Sequence, residues 1–369
     1  MSTSLLKNLY NPAFYHQFCR VAGSVLPGFD AEAFQSLIFD EQWDGRELKD
    51  RMKHTSAVLH HFLPQPFAKA AGAILNLVEA LQAEGITEKA LEYLFFPDYV
   101  ERFGLEHYDV SVGAMERLTP FTSCEFAVRP FIKKYEGRML EQMLRWSGHP
   151  NHHVRRLASE GSRPRLPWAM ALPRLKQDPS PVLPILENLK ADPSEYVRRS
   201  VANNLNDISK DNPGIALAVF RDWIGRHPET DRLVKHGCRT LLKEGRPEAM
   251  ALFGYSSSRE VTIQNFKIQT PAVTVGEHLK FSFELQNQSA RPALIRLEYG
   301  LYYLRANGSH SRKVFKISER EYPAGSIALI ERKQSFRPIT TRRYYPGQHE
   351  LSLIVNGVEV AKKIFNLEG

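Results

Sequence analysis

NHHVRRLASEGSRPRLPW, residues 151–168, sets four arginines around a single carboxylate. Read as a helix, Val154, Leu157, Ala158 and Gly161 fall at i, i+3, i+4 and i+7 and form a buried stripe. The same turn spacing gathers Arg156, Glu160 and Arg163 on another face. A cationic helix face suits a phosphate backbone, which would repel a lone acid, so Glu160 needs a reason to be there. The plain alternative is an i,i+4 ion pair on a solvated helix, worth a few tenths of a kcal/mol at about the usual scale.

The pattern recurs. Val154-Arg155-Arg156 is followed by Val197-Arg198-Arg199 and Val234-Lys235-His236, with starts 43 and 37 residues apart. Two-helix solenoid repeats have a period of roughly 40 to 47 residues. Glu160 aligns with Asn203, and in the second unit Arg199, Asn203 and Asp207 sit at i, i+4 and i+8. Val197, Val201, Leu205 and Ile208 supply its buried side. Basic residues at one helical phase in stacked units would line one surface.

At 369 residues the chain is long enough for two or three domains. No apolar run reaches the roughly 18 residues of a membrane span, and no signal peptide opens the sequence. Cys19, Cys124 and Cys238 lie far apart, which points to a reducing, cytoplasmic compartment. The net charge of +8 divides into −4 for residues 1–150, +5 for 151–257 and +7 for 258–369. All the positive excess follows residue 150, as a polyanion-binding surface would require.

AFYHQFCRVAGSVL (13–26), ELKDRMKHTSAVLHHFL (47–63), PFAKAAGAILNLVEALQAEG (66–85) and TEKALEYLFFPDYVERFG (87–104) have helical apolar spacing. Thr122-x-x-Glu125 has the form of a capping box opening a helix at residues 125–135, a structural role for Glu125 that competes with a catalytic one. Helices over 135–147 and 151–161 are joined at Gly148-His149-Pro150. The proline-rich run GSRPRLPWAMALPRLKQDPSP (161–181) cannot be helical throughout, and so long a connection is more often functional than filler. Trp168 within it is either a plug beneath the loop or a ligand contact.

Composition changes at YSSSREV (255–261). Beyond it, seven segments of β-branched and aromatic alternation begin with VTIQNFKIQ (261–269) and end with VEVAKKIF (358–365). Asn307-Gly308 and Asn356-Gly357 fit tight hairpin turns. Seven short strands predict an immunoglobulin-like β-sandwich, with Ser309-His310-Ser311-Arg312 and Thr340-Thr341-Arg342-Arg343-Tyr344 as loops able to touch phosphates. The expected organisation is a mostly α chain: helical repeats over 1–253, a linker over 254–260 and the sandwich over 261–369. There is no Gly-rich nucleotide loop, nucleophile elbow or H-E-x-x-H helix. His60-His61 and His149, His152 and His153 lack the carboxylates and cysteines of a metal site, so neither metal nor cofactor is expected.

The segments HHVRRLASEGSRPRLPW and DPSEYVRRSVANNLNDISKD (192–211) resemble the AlkC branch of the AlkC/AlkD DNA alkylation repair glycosylases. The likeness runs through the helical part to about residue 253, and the β tail matches members that carry an appended immunoglobulin-like domain. The resemblance implies hydrolysis of the N-glycosidic bond of cationic bases such as 3-methyladenine and 3-methylcytosine in double-stranded DNA, without a deep base-flipping pocket. It implies Glu160 and Asp207 as catalytic acids, Glu125 as a third, and Trp168 as the contact to sugar or base. Arg156, Arg163, Arg199 and Lys235, with Arg312, Arg342 and Arg343 of the sandwich, would hold DNA. The enzyme is expected to be a monofunctional, monomeric, nucleoid-associated protein. A non-catalytic DNA binder would keep the arginines without needing both acids, and a protein scaffold would bind with weak salt dependence.

Overall fold

The computed structural model describes residues 5–87, 90–256, 258–339 and 342–369. The chain divides into two compact units, Met1–Gly237 and Cys238–Gly369. The first contains helices α1 (Pro12–Val25), α2 (Ala31–Ile38), α3 (Leu48–His60), α4 (Phe67–Ala83), α5 (Phe95–Gly104) and α6 (Tyr108–Leu118). It continues with α7 (Val128–Ser147), α8 (His152–Gly161), α9 (Pro173–Gln177), α10 (Leu183–Leu189), α11 (Glu195–Asp211), α12 (Pro213–Trp223) and α13 (Pro228–Gly237). Five of these helices, α2, α6, α9, α10 and α12, were not among the expected ones. The segment TEKALEYLFFPDYVERFG is an α-helix only from Phe95; its Glu88 and Lys89 lie outside the described residues.

The repeat is real and has a local cause. At the entries to α8, α11 and α13, a residue before proline turns its side chain onto the N–H two positions later. His149 Nδ1 accepts from Asn151 at 3.0 Å, Asp192 Oδ1 from Ser194 at 2.8 Å, and His227 Nδ1 from Glu229 at 3.2 Å. Such turns start helices by satisfying orphan donors. Arg155 and Arg198, the first arginines of the triplets, then tie each unit to the next. Arg155 donates to His149 O and Pro150 O at 2.9 and 2.8 Å and pairs with Asp192 at 2.6 Å. Arg198 donates to Asp192 O and Pro193 O at 2.6 and 3.0 Å and pairs with Glu229 at 2.5 Å.

Helix α8 packs against α7 and α11, and α11 against α13. Val154, Leu157 and Ala158 of α8, and Val197, Val201, Leu205 and Ile208 of α11, are buried as their spacing requires. Gly161 is small for a packing reason: a Cβ there would lie 2.5 Å from Val128 Cγ2 and 2.8 Å from Met143 Cε. The chain then runs irregularly from Ser162 until α9.

The second unit opens with two short helices, α14 (Arg239–Lys243) and α15 (Pro247–Leu252), so the unit boundary falls before the expected limit at residue 253. These helices belong with the sheet because Gly245 meets Gly357 backbone to backbone; a Cβ at Gly245 would sit 2.3 Å from Gly357 O. Ser256 N donates to Leu294 O and Asn356 Nδ2 to Ser256 O, so most of the expected linker is pinned; its Ser257 lies outside the described residues.

Eight strands follow: β1 (Val261–Ile268), β2 (Ala272–Thr274), β3 (His278–Asn287), β4 (Ala293–Leu304), β5 (His310–Tyr322), β6 (Ile327–Ser335), β7 (Gly347–Val355) and β8 (Val358–Glu368). They form sheets ordered β1-β3-β6 and β2-β8-β7-β4-β5. The strand missing from the sequence reading is β2, three residues paired parallel to β8. Alternate residues of β3 (Leu279, Phe281, Phe283, Leu285) and β4 (Ile295, Leu297, Tyr299, Leu301) meet in one core. Asn356 and Gly357 have φ of 45° and 81°, as a two-residue hairpin between β7 and β8 needs. Asn307-Gly308 instead lies in a longer loop, where only Gly308 has positive φ and Arg305 N bonds Ser309 O. His310, Ser311 and Arg312 are on β5 rather than in that loop.

Candidate active site

The three acids singled out in the sequence are joined by arginines into one chain of alternating charge. Lys210 Nζ lies 3.0 Å from Asp207 Oδ1, and Asp207 Oδ2 lies 2.9 Å from Arg163 Nε. Arg163 Nη1 is 2.6 Å from Glu160 Oε1, which is also 3.5 Å from Arg156 Nη2. Arg156 Nη1 ends the chain on Glu125 Oε2. The second Glu160 oxygen accepts from Ser200 Oγ at 2.6 Å.

Among the three acids, exposure rises from Asp207 to Glu125. The side chain of Asp207 is 2% exposed, that of Glu160 7% and that of Glu125 17%. Both oxygens of Asp207 and of Glu160 are engaged by donors, whereas among the described residues Glu125 Oε1 has no hydrogen-bond partner. Glu125 therefore presents a carboxylate oxygen that can accept a ligand without breaking a bond. It does not cap a helix: α7 begins only at Val128, and Glu125 Oε2 accepts instead from Ser123 Oγ and Arg156. A buried ion-pair chain adds little net stability over apolar packing, so its presence points to a function.

Glu125 and Arg156 open onto a cleft whose walls also include Lys49, Phe126, Trp168 and Tyr196. Arg156 lies 4.9 Å over the Tyr196 ring. Trp168 is no buried plug; it is 63% exposed and has φ 64°. An L-residue held in that left-handed region costs roughly 1–2 kcal/mol, which the surroundings must offset. Lys49 Nζ donates to the Trp168 carbonyl.

The expected phosphate-gripping arginines have three fates. Arg163 is buried between two acids and Arg156 is tied to Glu125 and Glu160, the ion-pair arrangement that their helical spacing allowed. Arg199 is exposed, and among the described residues it has no acidic partner; Lys235 is half-buried on α13. In the β unit, Arg312 sits 5.8 Å over Tyr302 and 3.5 Å from Glu359, Arg342 4.0 Å over Tyr303, and Arg343 5.4 Å over Tyr345. Thr340 and Thr341 of that loop lie outside the described residues. Among the described residues no three His, Cys, Asp or Glu side chains converge as a metal site would need, and no helix is long and apolar enough to cross a membrane.

Sequence reasoning missed Ser200, Lys210, Arg129 and Lys49. It also placed Asp207 with Arg199, whereas Asp207 pairs with Arg163 across the helix boundary. A usable signal existed, because residues about one repeat apart stack. Arg163 and Asp207 are 44 apart, Glu160 and Ser200 40, and Ser159 and Asn204, whose Nδ2 donates to Ser159 O, 45. Arg129 and Lys49 come from outside the repeat and left no comparable trace. Burial pulls the Arg129 guanidinium down to about 10 and nearby Arg163 adds to this, while Asp207, Glu125 and Glu160 oppose it.

A family model described as the C-terminal Ig-like domain of the uncharacterised protein YhaZ matches residues 262–369. The uncharacterized protein YhaZ of Bacillus subtilis (strain 168) is 43% identical over 352 residues, covering 95% of this chain and 96% of that one. The Pseudomonas fluorescens alkylpurine DNA glycosylase AlkC, solved bound to DNA containing an abasic site analog, matches with a TM-score of 0.94. That match has 34% identity and covers 99% of this chain and 100% of that one. With whole-length likeness in both sequence and fold, the chain belongs to the AlkC family of DNA glycosylases.

Proposed function

We propose that the protein is a monofunctional DNA glycosylase that hydrolyses the N-glycosidic bond of cationic alkylated bases, 3-methyladenine and 3-methylcytosine among them, in duplex DNA. The observation that carries this reading is the junction of a buried acid–arginine chain with an exposed, backbone-strained tryptophan at one cleft. An N3-alkylated base already bears positive charge, so it leaves without a general acid. Charge then develops on the sugar as an oxocarbenium-like state, which a fixed carboxylate stabilises.

Glu125 is suited to face that charge or orient the attacking water, because its Oε1 is available at the cleft. Glu160 and Asp207 act with it from behind, holding Arg156 and Arg163 in place and keeping the field at the sugar negative despite the surrounding cations. The Trp168 indole offers an aromatic face to the cationic base or the deoxyribose, which would be attacked without entering a deep pocket. Arg199 and Lys235 suit flanking phosphates, and Arg312, Arg342 and Arg343 give the β unit a sequence-independent grip. A monomer working on DNA in the cytoplasm is the corresponding setting.

The test is release of free methylated base from alkylated duplex DNA by wild type, Glu160→Gln and Asp207→Asn. Release by wild type, lost in both variants while DNA binding persists, supports the reading. Tight, salt-sensitive binding with no base released from either lesion would leave a DNA-binding repeat protein and remove the enzyme.

A further inference from the structure

The irregular segment after α8 carries Arg163 and Trp168, yet it has few bonds of its own: Leu172 N to Pro164 O at 3.1 Å and Ala169 N to Leu166 O at 3.3 Å. Its conformation is set from outside. Arg129, in the first turn of α7 and 0% exposed, donates Nε to Met170 O at 2.7 Å. Its Nη1 donates to Gly161 O at 2.9 Å and to Arg163 O at 2.8 Å. Among the described residues no carboxylate pairs with it, and its Nη2 has no hydrogen-bond partner. A buried cation with no carboxylate bonded to it is a poor way to stabilise a fold. Three convergent carbonyls explain why a guanidinium stands there, since its planar fork reaches all three at once.

Lys49, from the first turn of α3, approaches from the other side. It donates to the Trp168 carbonyl and stands 4.9 Å from the centre of the Phe126 ring. Its target belongs to the residue with φ 64°, and the direction of that carbonyl is coupled to the left-handed backbone.

We propose that Arg129 and Lys49 form a two-point clamp of positioning residues, which holds Trp168 over the cleft and Arg163 between Glu160 and Asp207. The catalytic consequence rests on the glycosylase reading, because it assumes that Trp168 and the acid chain serve base release. The conformational consequence does not. A loose segment would let the indole drift, and a misplacement of about 1 Å can cost on the order of 10²-fold in rate.

The protein carries its own reporter. Trp43, Trp146 and Trp223 are 7%, 1% and 2% exposed, so acrylamide quenching of tryptophan fluorescence reads Trp168. The experiment compares wild type, Arg129→Met, Arg129→Lys and Lys49→Met by quenching, single-turnover base release and DNA affinity. The clamp predicts altered quenching and a rate loss of about 10- to 10²-fold in Arg129→Met and Lys49→Met. DNA affinity should stay within about threefold, since neither residue is free to grip phosphate. Arg129→Lys, which keeps the charge but loses the fork, should recover only part of the rate. Wild-type quenching and rate in all variants would overturn the clamp, as would rate and affinity falling together in step with melting temperature. If the Arg129 variants do not fold, half-buried Lys49 decides: unchanged quenching in Lys49→Met overturns the proposal. Should wild type release no base, the glycosylase reading fails, and the quenching comparison alone judges the clamp.

Discussion

Helices α8 and α11 begin with the same Val-Arg-Arg triplet but use its last residue in opposite ways. In both, the first arginine binds two carbonyls behind it and an acid of the next unit. The second differs. Arg156 faces Glu160 one turn on and is captured by it and by Glu125, whereas Arg199 faces Asn203 and stays exposed. One acid at the fourth position thus turns a surface cation into part of a buried network. Equal positions in a repeat share a packing role, and their chemistry is set by what stands one turn away and one repeat away.

The largest effect should come from breaking the network where the two helices meet. Arg163→Met leaves Glu160 and Asp207 buried without their shared cation, and should cost about 3–5 kcal/mol in denaturant unfolding. A loss below about 1 kcal/mol would mean that the pairs behave like solvated ones. Next come the shared arginines. Arg155→Ala and Arg198→Ala should each lose about 1.5–3 kcal/mol and, above all, lose similar amounts; a clear inequality would break the equivalence of the two units.

Gly161 and its repeat counterpart Asn204 sharpen the comparison from the packing side. Gly161→Ala pushes a methyl group against Val128 and Met143 and should cost about 1–3 kcal/mol by melting, unless Met143 swings aside. The smallest stability effect belongs to Arg199→Ala, within about 0.5 kcal/mol. Its signature lies in DNA binding, where the salt slope should fall by about 1. An unchanged slope would take Arg199 off the phosphate backbone.

The helical repeat and the β-rich second unit were legible because each rests on local patterns, apolar spacing within a helix and alternation within a strand. Val154, Leu157 and Ala158 had to be buried together, and the Glu160 pairing with Arg156 and Arg163 follows from one helical turn. Where a side-chain pair joined two different helices, the reading failed. Asp207 was expected beside Arg199 on its own helix, but α11 continues where α8 has already ended, and this brings Asp207 alongside Arg163. The capping-box form of Thr122 to Glu125 misled because Arg156, 31 residues away, competes for the same carboxylate. Burial of Arg163, the clamp by Arg129 and Lys49, and the grouping of α14 and α15 with the sheet all depend on contacts between distant segments. Composition counts charges but not their partners.

The central claim is that the buried chain exists to present one working carboxylate, Glu125, beside Trp168. Its most direct test is the single-turnover rate of base release from 3-methyladenine duplex DNA by Glu125→Gln, measured with DNA affinity on the same preparation. The account predicts a rate reduced by about 10²- to 10³-fold with affinity kept or improved, because a negative charge leaves a phosphate-binding surface. A rate within a few-fold of wild type would contradict it and move the chemistry to the acids behind.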